Sequence, residues 1–557
     1  MKRIFTLLLL ITFVSGVQAQ FSKMLERSQV HGSFELDGMY YMPDDAMGIT
    51  DSMINGRSFA MNGFGEIIYT LGKFSAGIRY EAYLPPIAGF DNRLEGQGLP
   101  YMWASYATDR FSITVGSFYE QFGNGLVLRT YQEWTLGYDN ALNGARVQFE
   151  PVKGIVLKGV YGVQRFFWNK YTKNSRGIVK GLDGEISLND LIQGMEQSKV
   201  RLSIGGSFVS KYQPDNDPIY KLPRNVGSGA ARMNMAIGKF NFSSEYAHKI
   251  NDPSAINNYI YKPGEAFIFN ASYSTKGFGI LGVFKRIDNF SYKSDRAETA
   301  NALDINFLPP IIEPHTYMLA SMYPYATQPN GEIGFQVQVN YKVPRKSKLG
   351  GKYGMDLSLN YSQLNDIVRK PAGDTTLINV PGTLGYTSDF FKFSDHVFMR
   401  DLTVKVHKKF SRKFKATLMY MNQLFDIATI QGHAEAEVIH DHIIIADMTY
   451  KFTSKSSLRW ELQSLFTEED RGDWAAGLVE FTVSPHWFAS VSDQWNYGNP
   501  DDDKQIHYYT VAGGYSLKTT RIAITYGRQR EGVVCVGGVC RAVPASSGFY
   551  LTVSTSF

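Results

Sequence analysis

The sequence predicts an all-β protein, a transmembrane antiparallel up-and-down β-barrel. Three observations lead to this fold class. The last ten residues alternate between apolar and polar side chains, and the same period of two recurs along the chain. No segment beyond the first twenty residues approaches the ~20 consecutive apolar residues of a membrane helix. Yet aromatic residues make up 14% of the chain, while its mean hydropathy is only −0.22. A barrel explains this combination because only alternate residues of each strand face lipid.

The C-terminal segment has the pattern of a membrane-spanning strand. Every second residue is apolar or threonine, and the residues between them are polar except for Tyr550. An apolar-out, polar-in strand of about ten residues is the unit of a transmembrane barrel. The segment begins at Gly548 and ends on an aromatic residue, which resembles the C-terminal signal by which bacterial outer-membrane barrels are recognised for assembly. The resemblance implies contact with the barrel-assembly machinery. The residues of this signal are Gly548, Phe549, Leu551, Val553 and Phe557.

The N-terminal residues predict export. A cationic start precedes an apolar run over Ile4–Val14, and Val17–Ala19 fits the small-x-small cleavage pattern. We therefore expect a cleaved Sec-type signal peptide over 1–19, a short lead over 20–28 and one outer-membrane barrel domain over 29–557. Because the lead is too short to form a plug domain, constrictions are expected from the barrel's own loops.

Alternation inside the chain predicts further strands. Phe335, Val337, Val339 and Tyr341 alternate with glycine and polar residues, and the same pattern recurs around 356–362, 402–407 and 458–463. Tight turns are expected on the periplasmic side at 70–74, 108–110, 151–154, 237–239, 275–277, 411–413, 453–455, 484–486 and 517–519. Long extracellular loops are expected at 213–226, 252–263, 293–332, 366–397, 427–439, 499–505 and 531–546. These connections predict about 18–24 strands, with a best estimate of 20–22.

One of the predicted loops, 293–332, is a candidate for folding into the lumen. It contains the segment Ile305–Ile312, which is too apolar to lie comfortably in solvent, and its prolines exclude a central strand. The loop could line the pore, plug it, dock a partner, or pack over the barrel rim. The sequence leaves these four alternatives open.

The two cysteines predict a disulfide. Cys535 and Cys540 are an even pair in an exported chain, which favours a bond that holds the last outer loop as a hairpin. Too few further ligands lie near them for a metal site. Their spacing is also wider than the C-x-x-C of redox motifs.

One cluster has metal-ligand chemistry. His440 and His442 lie two residues apart, so on a strand they would share a face and could share zinc or a similar cation. The alternative is the solvated end of an outer loop, and the sequence predicts no cofactor. G-x-S-x-G and H-E-x-x-H motifs are absent, so we expect no enzyme; a barrel-embedded hydrolase is the minor alternative. The candidate metal ligands are His433, Glu435, Glu437, His440 and His442.

Charged residues on the polar strand faces predict a wet lumen lined by both signs. Arg79 and Glu81, for example, share one strand face. Such charges could orient a polar solute, or they could pair across the barrel and fill it. The net charge of +5 includes no basic block, so nucleic-acid binding has no support. The lumen candidates are Arg79, Glu81, Arg129, Arg146, Lys158, Arg165, Arg459 and Glu461.

The signal peptide, the Gly/Tyr-rich first third, Thr453–Asn499 and the run Arg528–Arg541 together resemble an uncharacterised outer-membrane β-barrel family of Bacteroidetes-type bacteria. The resemblance implies the fold and the compartment, with outer-membrane lipid around the barrel, but no activity and no catalytic residues. Two functions stay open. One is a porin-like channel or transporter for small polar solutes. The other is a non-conducting structural or assembly subunit that docks surface lipoproteins or secretion machinery.

Overall fold

The computed structural model describes residues 28–50, 58–168, 177–373, 377–433, 436–537 and 539–557. Within them, 24 antiparallel strands form one sheet. The sheet is closed, because the first strand pairs with both the second strand and the last. The predicted signal peptide lies outside the described residues.

Each barrel strand pairs with its neighbours in sequence. The strands are β1 (Gln29–Tyr41), β2 (Phe59–Leu71), β3 (Phe74–Tyr83), β4 (Gly96–Ala107), β5 (Phe111–Phe118), β6 (Leu142–Phe149), β7 (Ile155–Gln164), β8 (Ile178–Ser187), β9 (Val200–Tyr212), β10 (Asn225–Ile237), β11 (Phe240–Lys249), β12 (Gly264–Thr275), β13 (Phe278–Asp288), β14 (Gly331–Val343), β15 (Met355–Pro371), β16 (Tyr386–Lys409), β17 (Phe414–Asp426), β18 (Val438–Lys451), β19 (Ser456–Phe466), β20 (Trp474–Val483), β21 (Trp487–Trp495), β22 (Thr510–Leu517), β23 (Thr520–Gln529) and β24 (Ser546–Ser556).

The connections carry only short elements. The α-helices are α1 (Leu188–Leu191) and α2 (Ile427–Gln431), and single 3-10 turns cover Asp45–Met47, Asn92–Leu94, Trp134–Leu136, Ala255–Asn257 and Asp502–Lys504. Two small ribbons pair Gln132–Glu133 with Tyr138–Asp139 and Gly532–Val536 with Val539–Val543. None of the described helices is long and apolar enough to cross a membrane.

The two ends of the barrel differ in their connections. All nine predicted tight turns lie at one end, here called the turn end, between an even-numbered strand and the next odd-numbered one. The long connections lie at the other end, the loop end. The predicted loop over 366–397 is wrong in its bounds, because β15 continues to Pro371 and β16 starts at Tyr386. The alternation of apolar and polar residues is less regular there, because the pairing of β15 with β16 contains register shifts.

The strand number is at the upper limit of the predicted range and above the best estimate of 20–22. Two turn-end connections are not tight hairpins, so the residues typical of tight turns do not indicate them in the sequence. One is 188–199, which contains α1, and the other is 344–354. The predicted alternation in β14, β15, β16 and β19 is confirmed by their pairing in the sheet.

A glycine allows the barrel to close. Gly548 stands near the start of β24, opposite Tyr41 of β1. Its φ is +141°, and a Cβ atom there would lie 1.9 Å from the carbonyl oxygen of Tyr40. Only glycine permits this approach of the two backbones.

Candidate functional site: the loop-filled lumen

The connection between β13 and β14, residues 289–330, lies inside the barrel and is called the plug loop here. The Tyr292 hydroxyl donates to the Val226 carbonyl on β10 at 2.7 Å. Further along, the Leu319 N–H donates to Gln463 Oε1 on β19 at 3.0 Å. These two strands lie nine apart around the closed sheet, so the plug loop crosses the lumen.

Apolar packing holds the plug loop on two parts of the wall. Leu319 and Met322 pack with Phe425, Ile443 and Trp474, which are buried on the inner faces of β17, β18 and β20. A second cluster contains Ile305 and Ile311 together with residues 118–128. Ile305 and Ile311 of the apolar segment predicted from the sequence are therefore buried inside the barrel, while Phe307–Pro310 are half-buried. The connection 119–141 packs against this segment.

Buried lysines of the wall bind the backbone of the plug loop. Lys211 Nζ donates to the Lys293 carbonyl at 2.7 Å, and Lys285 Nζ donates to the Pro309 carbonyl at 2.6 Å. Lys249 Nζ donates to the Ser291 carbonyl. A buried ammonium group is costly unless it is paired and hydrogen-bonded. The plug loop supplies these acceptors, so the lysines fix the position of its first half.

Two of these lysines pair with buried carboxylates. Lys211 Nζ lies 2.6 Å from Asp252 Oδ2, and Lys285 pairs with Glu332. None of the three lysines is among the residues predicted from the sequence. The alternation along β13 could have indicated Lys285, because it shares a strand face with the apolar residues Val283 and Ile287. A cation on such a face needs a polar partner on another segment.

The second half of the plug loop is held on β16 by one hydrogen bond and one ion pair. His315 Nε2 lies 2.7 Å from Asp401 Oδ2 on β16. Lys405 of the same strand lies 2.7 Å from Glu313 Oε1. The plug loop is thus anchored on β16 as well as on β9, β11 and β13.

Three predicted lumen charges meet in one buried network with alternating signs. Glu81 Oε1 lies 2.8 Å from Arg79 Nε, and Glu81 Oε2 lies 2.6 Å from Arg165 Nη2. Asp139, which was not predicted from the sequence, completes a square of four charged side chains. It lies 2.6 Å from Arg165 Nη1 and also pairs with Arg79. Burial opposes the ionisation of Asp139, but the two arginines outweigh it and hold its pKa below the ordinary value. The four charges neutralise one another.

Other predicted lumen charges are also paired. Arg146 Nε and Lys158 Nζ both bind the carboxylate of Glu120, at 2.5 and 2.9 Å. Arg459 Nε lies 3.2 Å from Asp447 Oδ1, and Arg459 also pairs with Glu461.

Arg129 has aromatic neighbours instead. Its guanidinium carbon lies 4.5 Å from the ring centre of Tyr131 and 3.9 Å from that of Phe307 in the plug loop. These are cation–π distances.

The histidines of the candidate metal cluster do not converge. His440 and His442 share a face of β18, but that face is the exposed outer one. His440 Nδ1 lies 3.2 Å from Glu469 Oε1, whereas His442 Nδ1 lies 2.8 Å from the Tyr420 hydroxyl. In the described part of the chain, no three His, Cys, Asp or Glu side chains are placed to hold a metal ion. Of the remaining candidate ligands, His433 and Glu437 are exposed, and Glu435 lies outside the described residues.

The last long connection touches the plug loop. Cys535 and Cys540 are joined by a disulfide across the ribbon of Gly532–Val536 and Val539–Val543. The Cys540 carbonyl accepts a hydrogen bond from Asn301 Nδ2 at 2.8 Å. The disulfide-bonded hairpin and the plug loop therefore meet at the loop end.

Comparison with known proteins identifies a family. The model of a family of unknown function (DUF6029) matches residues 1–557. No curated protein sequence matches the chain. The siderophore receptor PirA from Pseudomonas aeruginosa is 8% identical with a TM-score of 0.40, over 95% of this chain and 80% of that one. The P pilus usher (PapC) translocation pore is 8% identical with a TM-score of 0.42, over 94% and 99%. OccK3 (OpdO) from Pseudomonas aeruginosa is 9% identical with a TM-score of 0.38, over 96% and 98%. At these scores the likenesses carry no argument about function.

Proposed function

The chain belongs to a family of unknown function, DUF6029, and we propose from its own structure that it is an outer-membrane channel or transporter for small polar solutes, constricted by the plug loop. The observation that carries this proposal is the contrast between the two faces of the wall. The outer face exposes apolar side chains, whereas the inner face near the turn end carries polar side chains such as Asn234, Ser243 and Asn270. Export through the signal peptide over 1–19 and recognition of the C-terminal strand by the assembly machinery belong to the same proposal.

The outer face supports a location in the membrane. Leu182 on β8 is 69% exposed and Leu462 on β19 is 60% exposed, and similar residues surround the barrel. Asp183, the neighbour of Leu182, is buried inside and pairs with Arg232. A water-soluble protein rarely exposes so extensive an apolar surface.

Substitution of an outward-facing leucine tests this location. We expect Leu182→Arg to destabilise the barrel in lipid vesicles by about 2–4 kcal/mol, the cost of arginine near the bilayer midplane. Gln338→Arg is the matched control, because Gln338 lies on the inner face of β14, where water can solvate the new charge. The measurement is urea-induced unfolding of both variants in the same vesicles. Equal stabilities would contradict a lipid-facing Leu182.

The inner face near the turn end supports passage of polar solutes. A cavity of about 320 Å³ lies along the inner faces of β9 to β12, and Ser203, Asn234, Ser243 and Asn270 line it. The polar lining at the turn end and the plug loop at the loop end together suit a channel with its constriction on one side.

Electrical recording tests the channel directly. We expect the purified barrel in a planar lipid bilayer to produce discrete current steps of stable size. A correctly folded barrel, verified by its β-sheet circular dichroism, that produces no steps would contradict the proposal.

A second candidate is a non-conducting subunit that docks surface lipoproteins or secretion machinery. The apolar packing of Leu319 and Met322 on the wall favours it, because such contacts are typical of a permanent core rather than a gate. A silent barrel that can be cross-linked to a defined outer-membrane lipoprotein in intact cells would support this alternative.

A further inference from the structure

We infer that a cavity at the loop end binds an uncharged, hydroxyl-rich ring compound, a mono- or disaccharide. The inference rests on the proposed function and names its solute class. The cavity measures about 260 Å³, close to the lower limit of ~300 Å³ for small-molecule pockets. It therefore suits a solute of one or two rings. Residues from five connections at the loop end line it, including 298–303 of the plug loop and Cys540 of the disulfide-bonded hairpin.

The charges of the cavity disfavour an anionic ligand. Its floor is the neutral square of Arg79, Glu81, Asp139 and Arg165 described above. The remaining arginine of its described lining, Arg93, lies 2.8 Å from Asp91 and 3.4 Å from Glu298. Each arginine in that lining thus has a carboxylate partner, and neither a phosphate nor a carboxylate ligand would find an uncompensated cation. The carboxylates of Asp91 and Glu298, which are 40% and 22% exposed, remain acceptors for hydroxyl groups.

The walls of the cavity favour a ring with an apolar face. Phe64 and Trp134 pack edge to face with ring centres 3.9 Å apart, and Tyr83 and Phe167 belong to the same aromatic wall. Phe64 and Tyr83 are buried, whereas Trp134 and Phe167 are partly exposed and carry the guanidinium groups of Arg79 and Arg93 over their rings. The exposed parts of Trp134 and Phe167 bind the C–H face of a sugar ring, while Asn301 and the carboxylates of Asp91 and Glu298 bind its hydroxyl edge. A wholly apolar ligand would instead leave the charged floor desolvated without new partners.

Calorimetric titration of the full chain in detergent tests the site. The probes are glucose and maltose, with glutamate and lysine as charged comparators. We expect saturable binding of at least one saccharide and of neither amino acid. Trp134→Ala should weaken that binding about ten-fold or more, because it removes an aromatic wall. Trp487→Ala is the matched control, since Trp487 is 60% exposed on the outer face, and it should bind as the unaltered protein does.

Each outcome decides the inference separately from the channel proposal. Lack of saccharide binding, or equal affinity in Trp134→Ala, would overturn the site even if the barrel conducts. Saccharide binding by a barrel that produces no current steps would support the site and contradict the channel. If Trp134→Ala does not fold, Phe167→Ala alters a second wall of the same cavity and is expected to weaken binding in the same way.

Discussion

Replacing residues 291–328 with a Gly–Ser linker of about four residues is expected to raise the single-channel conductance several-fold. The barrel should still close, because Asp288 and Gly331 are paired neighbours that a short hairpin can join. The replacement removes the contacts of Tyr292 with β10 and of Leu319 with β19, and hence the segment that crosses the lumen. Conductance is measured in planar bilayers with the same lipid and salt as for the unaltered protein.

A matched control shortens a connection that does not enter the lumen. Residues 345–353 join β14 to β15 at the turn end, and the same linker there should leave the conductance unchanged. If the barrel without the plug loop conducts no better than this control, the plug loop is not the main constriction. The connection 119–141 would then be the next segment to remove.

Lys285→Met is expected to lower the stability of the barrel by about 3–5 kcal/mol, the cost of breaking a buried ion pair by removing one partner. Lys285 and Glu332 are 1% and 0% exposed, so the carboxylate would be left without its cation in a buried site. The variant also loses the bond to the Pro309 carbonyl and should loosen the plug loop. Unfolding in detergent measures the first effect, and limited proteolysis between residues 305 and 325 measures the second.

Lys342→Met is the control for this prediction. Lys342 Nζ lies 3.4 Å from Asp356 Oδ1, but the two side chains are 60% and 54% exposed. Exposed pairs contribute at most about 1 kcal/mol, so this variant should remain close to the unaltered protein. Should Lys285→Met prove equally harmless, the lysine does not anchor the plug loop. Adding Glu332→Leu to Lys285→Met should recover part of the lost stability, because the stranded carboxylate is removed as well.

Strands and tight turns could be predicted from the sequence because the signal for both is local. The alternation of Phe335, Val337 and Val339 with polar residues assigns the two faces of β14 within a few positions. Likewise, Arg79 and Glu81 lie two residues apart, so their shared face follows from strand geometry alone. The strand count was less accessible, since connections such as 188–199 do not have the residues of a tight hairpin.

Partners inside the lumen could not be predicted in this way. Asp139 reaches Arg79 only because the connection 119–141 folds inward, and Lys285 reaches Pro309 only because the plug loop does so. These contacts depend on the three-dimensional positions of long connections. The alternation of residues along a strand does not indicate those positions. The apolar segment Ile305–Ile312 could be recognised as unsuited to solvent, but the wall it packs on could not.

Pairing of β1 with β24 has a consequence for the order of events during biogenesis. Until the C-terminal residues have left the ribosome, the edge of β1 that faces away from β2 has no partner, and the seam of the barrel cannot form. An unpaired strand edge is a template for aggregation, and the pairing that relieves it joins residues more than five hundred positions apart, such as Tyr40 and Phe549. Contacts of such long sequence separation form slowly. The unassembled chain therefore has to be kept from self-association until β24 reaches β1.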